Sequence, residues 1–161
     1  FRCQHGTQEC VYNTMEACGN NYISDTLLAF NFTDCIEKKN YKYQANYGQA
    51  LAYCSSSVNL SQTQQDNITA CYTDQEGVDL EHADALQTDA LVPSHTYVPW
   101  VVGQGVHSDE VQNAVSASLL DYVCANYTGD SRSPSCPQAG YMSIPAPKFD
   151  VCYKDQDTFL N

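Results

Sequence analysis

Apolar positions fall at helical spacing through the first half of the chain and switch to a strand-like run only past residue 95. Met15, Cys18, Tyr22 and Leu27 or Leu28 form one face of a helix expected over 14–32, with Asn13 or Thr14 as its cap and Glu16 three residues after Asn13, near a capping-box arrangement. Tyr43, Tyr47, Ala50, Leu51 and Cys54 mark a second helix over 41–56, which the Ser55-Ser56-Ser57 run ends. Shorter helices are expected over 61–72, starting near Ser61, and over 75–86.

The pattern then changes. Thr96-Tyr97-Val98-Pro99-Trp100-Val101-Val102 is β-branched and aromatic, which predicts a strand, and the proline within it demotes that strand to an edge or a special position. Gln104-Gly105 turns the chain toward a second short strand at Val106-His107. Val111, Val115, Leu119, Tyr122 and Val123 then share one face of a helix predicted over 108–127, capped by Ser108 or Asp109. From Gly129 onward Ser, Pro and Gly dominate, and 137–161 reads as a loop-rich tail held by Cys136 and Cys152. The order of helices, strand, turn, strand and helix suggests the second half of an α/β fold. On that reading the inner face of 97–102 and one face of 108–127, at Val98, Trp100, Val111, Val115 and Leu119, are expected to contact another segment or chain.

At 161 residues with 43% apolar content, the chain is long enough for a real core. Its 19 acids against 7 bases give a formal charge of −12, the wrong sign for a nucleic-acid binder and suited to an acidic compartment. No apolar run reaches the roughly 20 residues that span a bilayer, and no signal peptide is visible. The chain opens on Phe1-Arg2-Cys3 rather than Met. Its first residue is therefore expected to lie downstream of the gene's start, with something upstream removed or outside this chain.

Nine cysteines, Cys3, Cys10, Cys18, Cys35, Cys54, Cys71, Cys124, Cys136 and Cys152, point to an oxidising compartment and to structural staples. An odd count leaves one unpaired or interchain, so a disulfide-linked dimer is compatible with it, and about 945 pairings stay open. Four N-glycosylation sequons begin at Asn31, Asn59, Asn67 and Asn126, and they point the same way. Other chemistry is thin. Cys3, His5 and Cys10 do not have a common zinc spacing, and no metal or other cofactor is expected. His5 reads as a structural residue in a Gly6 turn. His82 and His95 read as packing or capping residues, with pH sensing as the sharper alternative. No GxSxG elbow supports a Ser-His-Asp triad.

Two blocks carry a resemblance. Cys3-Gln4-His5-Gly6, Glu9-Cys10, Asn13, Glu16 and Cys18 form the pattern CQHGxxECxxNxxExC; His82-Ala83, Gln87-Thr88-Asp89-Ala90-Leu91, Pro93, His95 and Tyr97 to Val101 form the second. Together they resemble the gamma-interferon-inducible lysosomal thiol reductase family over roughly 1–136, with the tail matching loosely through Cys152. The resemblance implies a thioredoxin-like α/β domain over 1–136. It would have a helical, disulfide-rich insertion over about 10–86, a closing hairpin and helix over about 96–127, and an N-terminal strand-helix-strand unit missing from this chain.

It also implies a cis-proline at Pro99 and a substrate-facing loop of Val98, Pro99 and Trp100. The implied activity is reduction of protein disulfides at acidic pH, in the lysosome or outside the cell.

The sequence departs from the family where the chemistry sits. No two cysteines are separated by two residues, the closest being Cys3 and Cys10 with six between them, so no catalytic residue of the CxxC type is present. Gly103 stands where an apolar residue is expected, and Gln104-Gly105 replaces a more usual Asn-Gly, for which a looser turn is expected. A reductase built on this chain needs its redox pair from an upstream segment or a linked chain. That pair would have to be strongly activated, since an ordinary thiol at about pH 5 is only about one part in 3,000 ionised. The alternative is a secreted, non-catalytic glycoprotein of the same family, acting in binding or as a structural component.

Overall fold

The computed structural model describes residues 2–136 and 152–153. The chain forms two compact units, 1–88 and 89–161. The first is all-helical: α1 (Thr7–Tyr22), α2 (Thr26–Tyr43), α3 (Tyr47–Ser57), α4 (Gln62–Tyr72) and α5 (Gln75–Asp89). The predicted helix over 14–32 is in fact two. Asn13 and Thr14 lie inside α1, where Thr14 Oγ1 donates to the Cys10 carbonyl, and the helix starts at Gly6, whose φ of 101° only glycine adopts freely. The break comes at 23–25, where Asp25 turns the chain and accepts from the Leu28 N–H at 2.8 Å, capping α2. Ser61 and Gln64 close a full capping box on α4.

The interior of this unit is made by Tyr12, Met15, Cys18, Phe32, Ile36, Ala50, Leu51, Cys54, Ile68 and Cys71, contributed by α1 to α4. Two disulfides run through it. Cys18–Cys71 joins α1 to α4, and Cys35–Cys54 joins α2 to α3. Gly19 lets α2 come close, because a Cβ there would lie 2.6 Å from the Phe32 ring. A third disulfide, Cys3–Cys10, closes the loop that leads into α1.

The second unit contains β1 (Tyr97–Val98), α6 (Asp109–Ala117), α7 (Leu119–Asn126) and β2 (Cys152–Tyr153). β1 and β2 pair antiparallel, Tyr97 opposite Tyr153 and Val98 opposite Cys152. Apart from 152–153, the predicted tail over 137–161 lies outside the described residues. Ser108 caps α6 by accepting from the Val111 N–H. The helix predicted over 108–127 is divided at Ser118, which ends α6 and caps α7 through the Asp121 N–H. Cys124–Cys136 pins the segment after α7 back onto it.

The α/β thioredoxin-like expectation is overturned. Among the described residues helices predominate, and strand pairing is limited to a two-residue ladder and one isolated bridge. The physical reason lies at Pro99. The run 96–102 has strand-forming residues, but proline has no N–H to donate, and the ladder stops at Val98. The next backbone groups bond to a helix side chain instead of to a neighbouring strand.

The two core disulfides should differ in weight. Cys18–Cys71 spans 53 residues and Cys35–Cys54 spans 19. Replacing the first pair by alanine is expected to cost about 4 kcal/mol, and the second about 3 kcal/mol, by loop-closure entropy. Urea unfolding followed by helical circular dichroism checks this; a loss below about 1 kcal/mol for the Cys18/Cys71 pair would show that it does not constrain the unit.

Candidate functional site

The predicted substrate-facing loop sits between β1 and the turn that precedes α6. Its apolar tip faces solvent: Val98 is 48% exposed and Pro99 is exposed, whereas Trp100 is half-buried. Trp100 stacks on His107 with ring centroids 3.4 Å apart and meets Tyr97 edge-on at 4.9 Å. The His107 Nδ1 lies 2.8 Å from the Val101 carbonyl.

Gln112, on α6 and only 8% exposed, holds the loop from beneath. Its Nε2 donates to the Pro99 carbonyl at 3.2 Å, and its Oε1 accepts from the Val101 N–H at 3.0 Å. One amide thus satisfies the two backbone groups that flank Trp100, as a strand neighbour would.

The turn that follows is a tight two-residue hairpin, not a loose one. Gly103 and Val106 exchange both backbone hydrogen bonds, with φ of 52° at Gln104 and 80° at Gly105. Positive φ at both central positions matches the twist of the flanking chain, and Gly105 adopts it without cost. Gly103 is small for a packing reason: a Cβ there would run into the Tyr122 hydroxyl and Val111 Cγ1. Of the five apolar positions expected to meet a partner, Val98 and Leu119 are exposed, while Trp100, Val111 and Val115 are half-buried.

The other predicted residues are scattered. Asn31 and Asn67 are exposed on α2 and α4, and Asn59 is exposed in the turn after α3 with φ of 58°. Asn126 is half-buried, and its Nδ2 donates to the Tyr122 carbonyl at 2.8 Å. His82 is exposed and His95 is half-buried with Nδ1 unpartnered. Cys3 and Cys10 are bonded to each other, which removes the zinc reading, and no cluster of three or more metal-ligating side chains occurs among the described residues. Eight cysteines form four disulfides, and Cys152 enters the ladder through its backbone.

Two polar residues matter that the sequence pattern did not single out for chemistry. Gln112 lies among polar neighbours, Glu110 and Asn113, so nothing in the sequence marked it as a buried amide. Glu16 lies between Met15 and Cys18 on the core face of α1. Its Oε1 is buried without a partner, and burial first, then the Glu37 carboxylate on α2, push its carboxyl up to about 8. The lysines of α2 are engaged elsewhere: Lys38 bonds Asp34 at 2.8 Å, and Lys39 and Lys42 sit over the Tyr53 ring. Glu37 itself lines an open groove of about 500 Å³ with Glu9, Asn13, Asn40 and Tyr41.

Residues 1–58 match the sequence profile of the family described as gamma interferon inducible lysosomal thiol reductase. A protein of Carassius auratus named gamma-interferon-inducible lysosomal thiol reductase is 35% identical over 138 residues, which is 86% of this chain and 51% of that protein. The chain is a relative of this thiol reductase family.

The Mus musculus protein of the same name is 32% identical over 159 residues, covering 96% of this chain and 55% of that relative. An Arabidopsis thaliana protein named gamma-interferon-responsive lysosomal thiol protein is 28% identical over 145 residues, covering 88% of this chain and 55% of its own length. The chain therefore spans about half the length of the curated relatives it matches.

Replacing Gln112 by Leu leaves the Pro99 carbonyl and the Val101 N–H without their partner. A loss of about 1–3 kcal/mol is expected, with faster amide exchange at Val101. Gln112→Glu, which keeps the acceptor but loses the donor, should fall between the two. Unchanged exchange at Val101 in Gln112→Leu would show that the amide does not hold the loop.

Glu16 gives a pH prediction. Its folded pKa is raised above the ordinary carboxylate value. Its contribution to stability is thus complete below about 4.5 and lost as pH rises through about 8. Between pH 5 and 8, thermal melting of the wild type should fall more steeply than that of Glu16→Gln. Parallel curves would show that Glu16 ionises without cost.

Proposed function

We propose that this chain is the substrate-facing part of a lysosomal or secreted thiol reductase, acting on protein disulfides at acidic pH. The Val98–Pro99–Trp100 loop receives the substrate chain. Its CxxC-type redox pair comes from an upstream segment or from a linked chain, which packs near the apolar positions around Val98 and Leu119.

The observation that carries the reading is the loop itself. An apolar tip of Val98 and Pro99 is presented to solvent, while the backbone groups behind it are held by Gln112 and Trp100 is fixed against His107. A rigid apolar tip loses little entropy when an extended peptide lies across it. The named relatives supply the reaction class. The raised Glu16 carboxyl agrees with an acidic compartment, since the first unit is firmer there. The four disulfides agree with an oxidising route through the secretory pathway. Glycans belong to the same reading, with Asn31, Asn59 and Asn67 exposed for modification and Asn126 less open.

The competing reading is a non-catalytic secreted glycoprotein of the same family, favoured by the lack of any Cys-x-x-Cys spacing in the chain. The native protein that contains this chain decides between them. Reduction of a protein disulfide at about pH 5 is expected, with Val98→Asp lowering kcat/KM by about ten-fold or more and leaving the helical signal intact. Absence of reductase activity in the native protein, with no redox-active cysteine pair found by thiol mapping, would leave the binding or structural role. Activity that Val98→Asp does not change would move the substrate site away from this loop.

A further inference from the structure

The four disulfides are not equivalent. Cys18 and Cys71 are both fully buried, Cys54 is fully buried and Cys124 nearly so; only in Cys3–Cys10 is neither partner buried. Exchange requires a thiolate to reach a disulfide sulfur, so access ranks the four. Reducing Cys18–Cys71 would also release α1 from α4, whereas Cys3–Cys10 closes a local loop with a sequence separation of 7 and crosses no part of the core.

That loop has hydrogen bonds of its own. The Gly6 N–H donates to the Cys3 carbonyl at 3.2 Å, and the His5 N–H donates to Glu9 Oε2 at 2.7 Å. The His5 imidazole Nδ1 lies 3.1 Å from Glu9 Oε1. None of these bonds uses a sulfur, so reduction of the disulfide removes none of them directly. In the opened form Cys3 and Cys10 stay close, and a dithiol poised to reclose is a good electron donor. Cys10 also lies at the end of the first turn of α1, where the helix N-terminus favours a thiolate.

We infer that Cys3–Cys10 is an exchange-active redox couple in its own right, charged by a small-molecule thiol and able to pass its electrons to a substrate disulfide. This stands on the geometry of the first unit and does not depend on the role of the Pro99 loop. In charging, a thiolate RS⁻ attacks Cys3 Sγ, the S–S bond breaks, and the Cys10 thiolate leaves and takes a proton from water. A second RS⁻ attacks the mixed disulfide, releasing RSSR and the Cys3 thiolate. The net change is oxidation of two RSH to RSSR and reduction of Cys3–Cys10 to two thiols. In discharging, the Cys10 thiolate attacks a substrate disulfide and expels one substrate thiolate. The Cys3 thiolate then attacks the Cys10 sulfur of the mixed disulfide, restoring Cys3–Cys10 and expelling the second.

The test is timed exposure of the folded chain to reduced glutathione, quenched with N-ethylmaleimide and read by peptide mass spectrometry. Labels present before glutathione is added are subtracted. Cys3 and Cys10 are expected to gain label together, about ten-fold faster than Cys35/Cys54 or Cys124/Cys136, with the helical signal unchanged. Oxidised glutathione should then restore the bond, and more slowly in Glu9→Ala, which frees His5, while the opening rate stays the same. The Cys3→Ser/Cys10→Ser variant, with its helical signal checked, should lack the fast phase. Fast labelling that maps to another pair, or opening of Cys3–Cys10 only together with loss of helix, would overturn the inference.

Discussion

The Cys18–Cys71 bond joins α1 to α4 through two sulfurs that solvent does not reach, and the packing of the first unit is arranged around it. Met15 lies one turn before Cys18 on α1, and Ile68 lies one turn before Cys71 on α4. Phe32 and Ile36 from α2 fill the same interior, and Cys35–Cys54 brings α3 alongside. Helices of 11 residues such as α3 and α4 are too short to persist in water alone. Their stability comes from the shared interior and from the crosslinks that limit how far the unfolded chain can spread.

The helical half was largely legible, and the reason is periodicity. Ser61 as the start of α4 and Ser108 as the cap of α6 followed from side chains that compete for backbone N–H groups. Errors arose where local chemistry overrode spacing. The apolar stripe from Met15 to Leu28 reads as one helix, yet Asp25 turns the chain in the middle of it. At 96–102, β-branched and aromatic residues suggested a strand, but a strand exists only where another backbone pairs with it. The family resemblance was visible in the motif residues; the fold inferred from it was not supported, because the structure of 2–136 is dominated by helices.

The Val98–Trp100 loop, a candidate site, was singled out by motif residues. What holds it was not. Gln112 is a polar residue with no motif around it, and its role depends on where α6 lies in space. The same is true of Glu16. Its place in the cysteine motif was plain, but the cost of ionising it depends on Glu37 arriving from a different helix. Both cases withdraw polar atoms from solvent, and both become intelligible only through the neighbour the side chain meets.

Ser118 ends one helix and begins the next, and its extended backbone, at φ −164°, sets the angle between them. The apolar stripe on either side of it would support a single straight rod of about five turns. One hydroxyl, bonded to the Asp121 N–H, favours the bend over the rod. The bend in turn sets the direction in which α7 presents Cys124 to Cys136, so the geometry of that crosslink rests on a serine that takes no part in it.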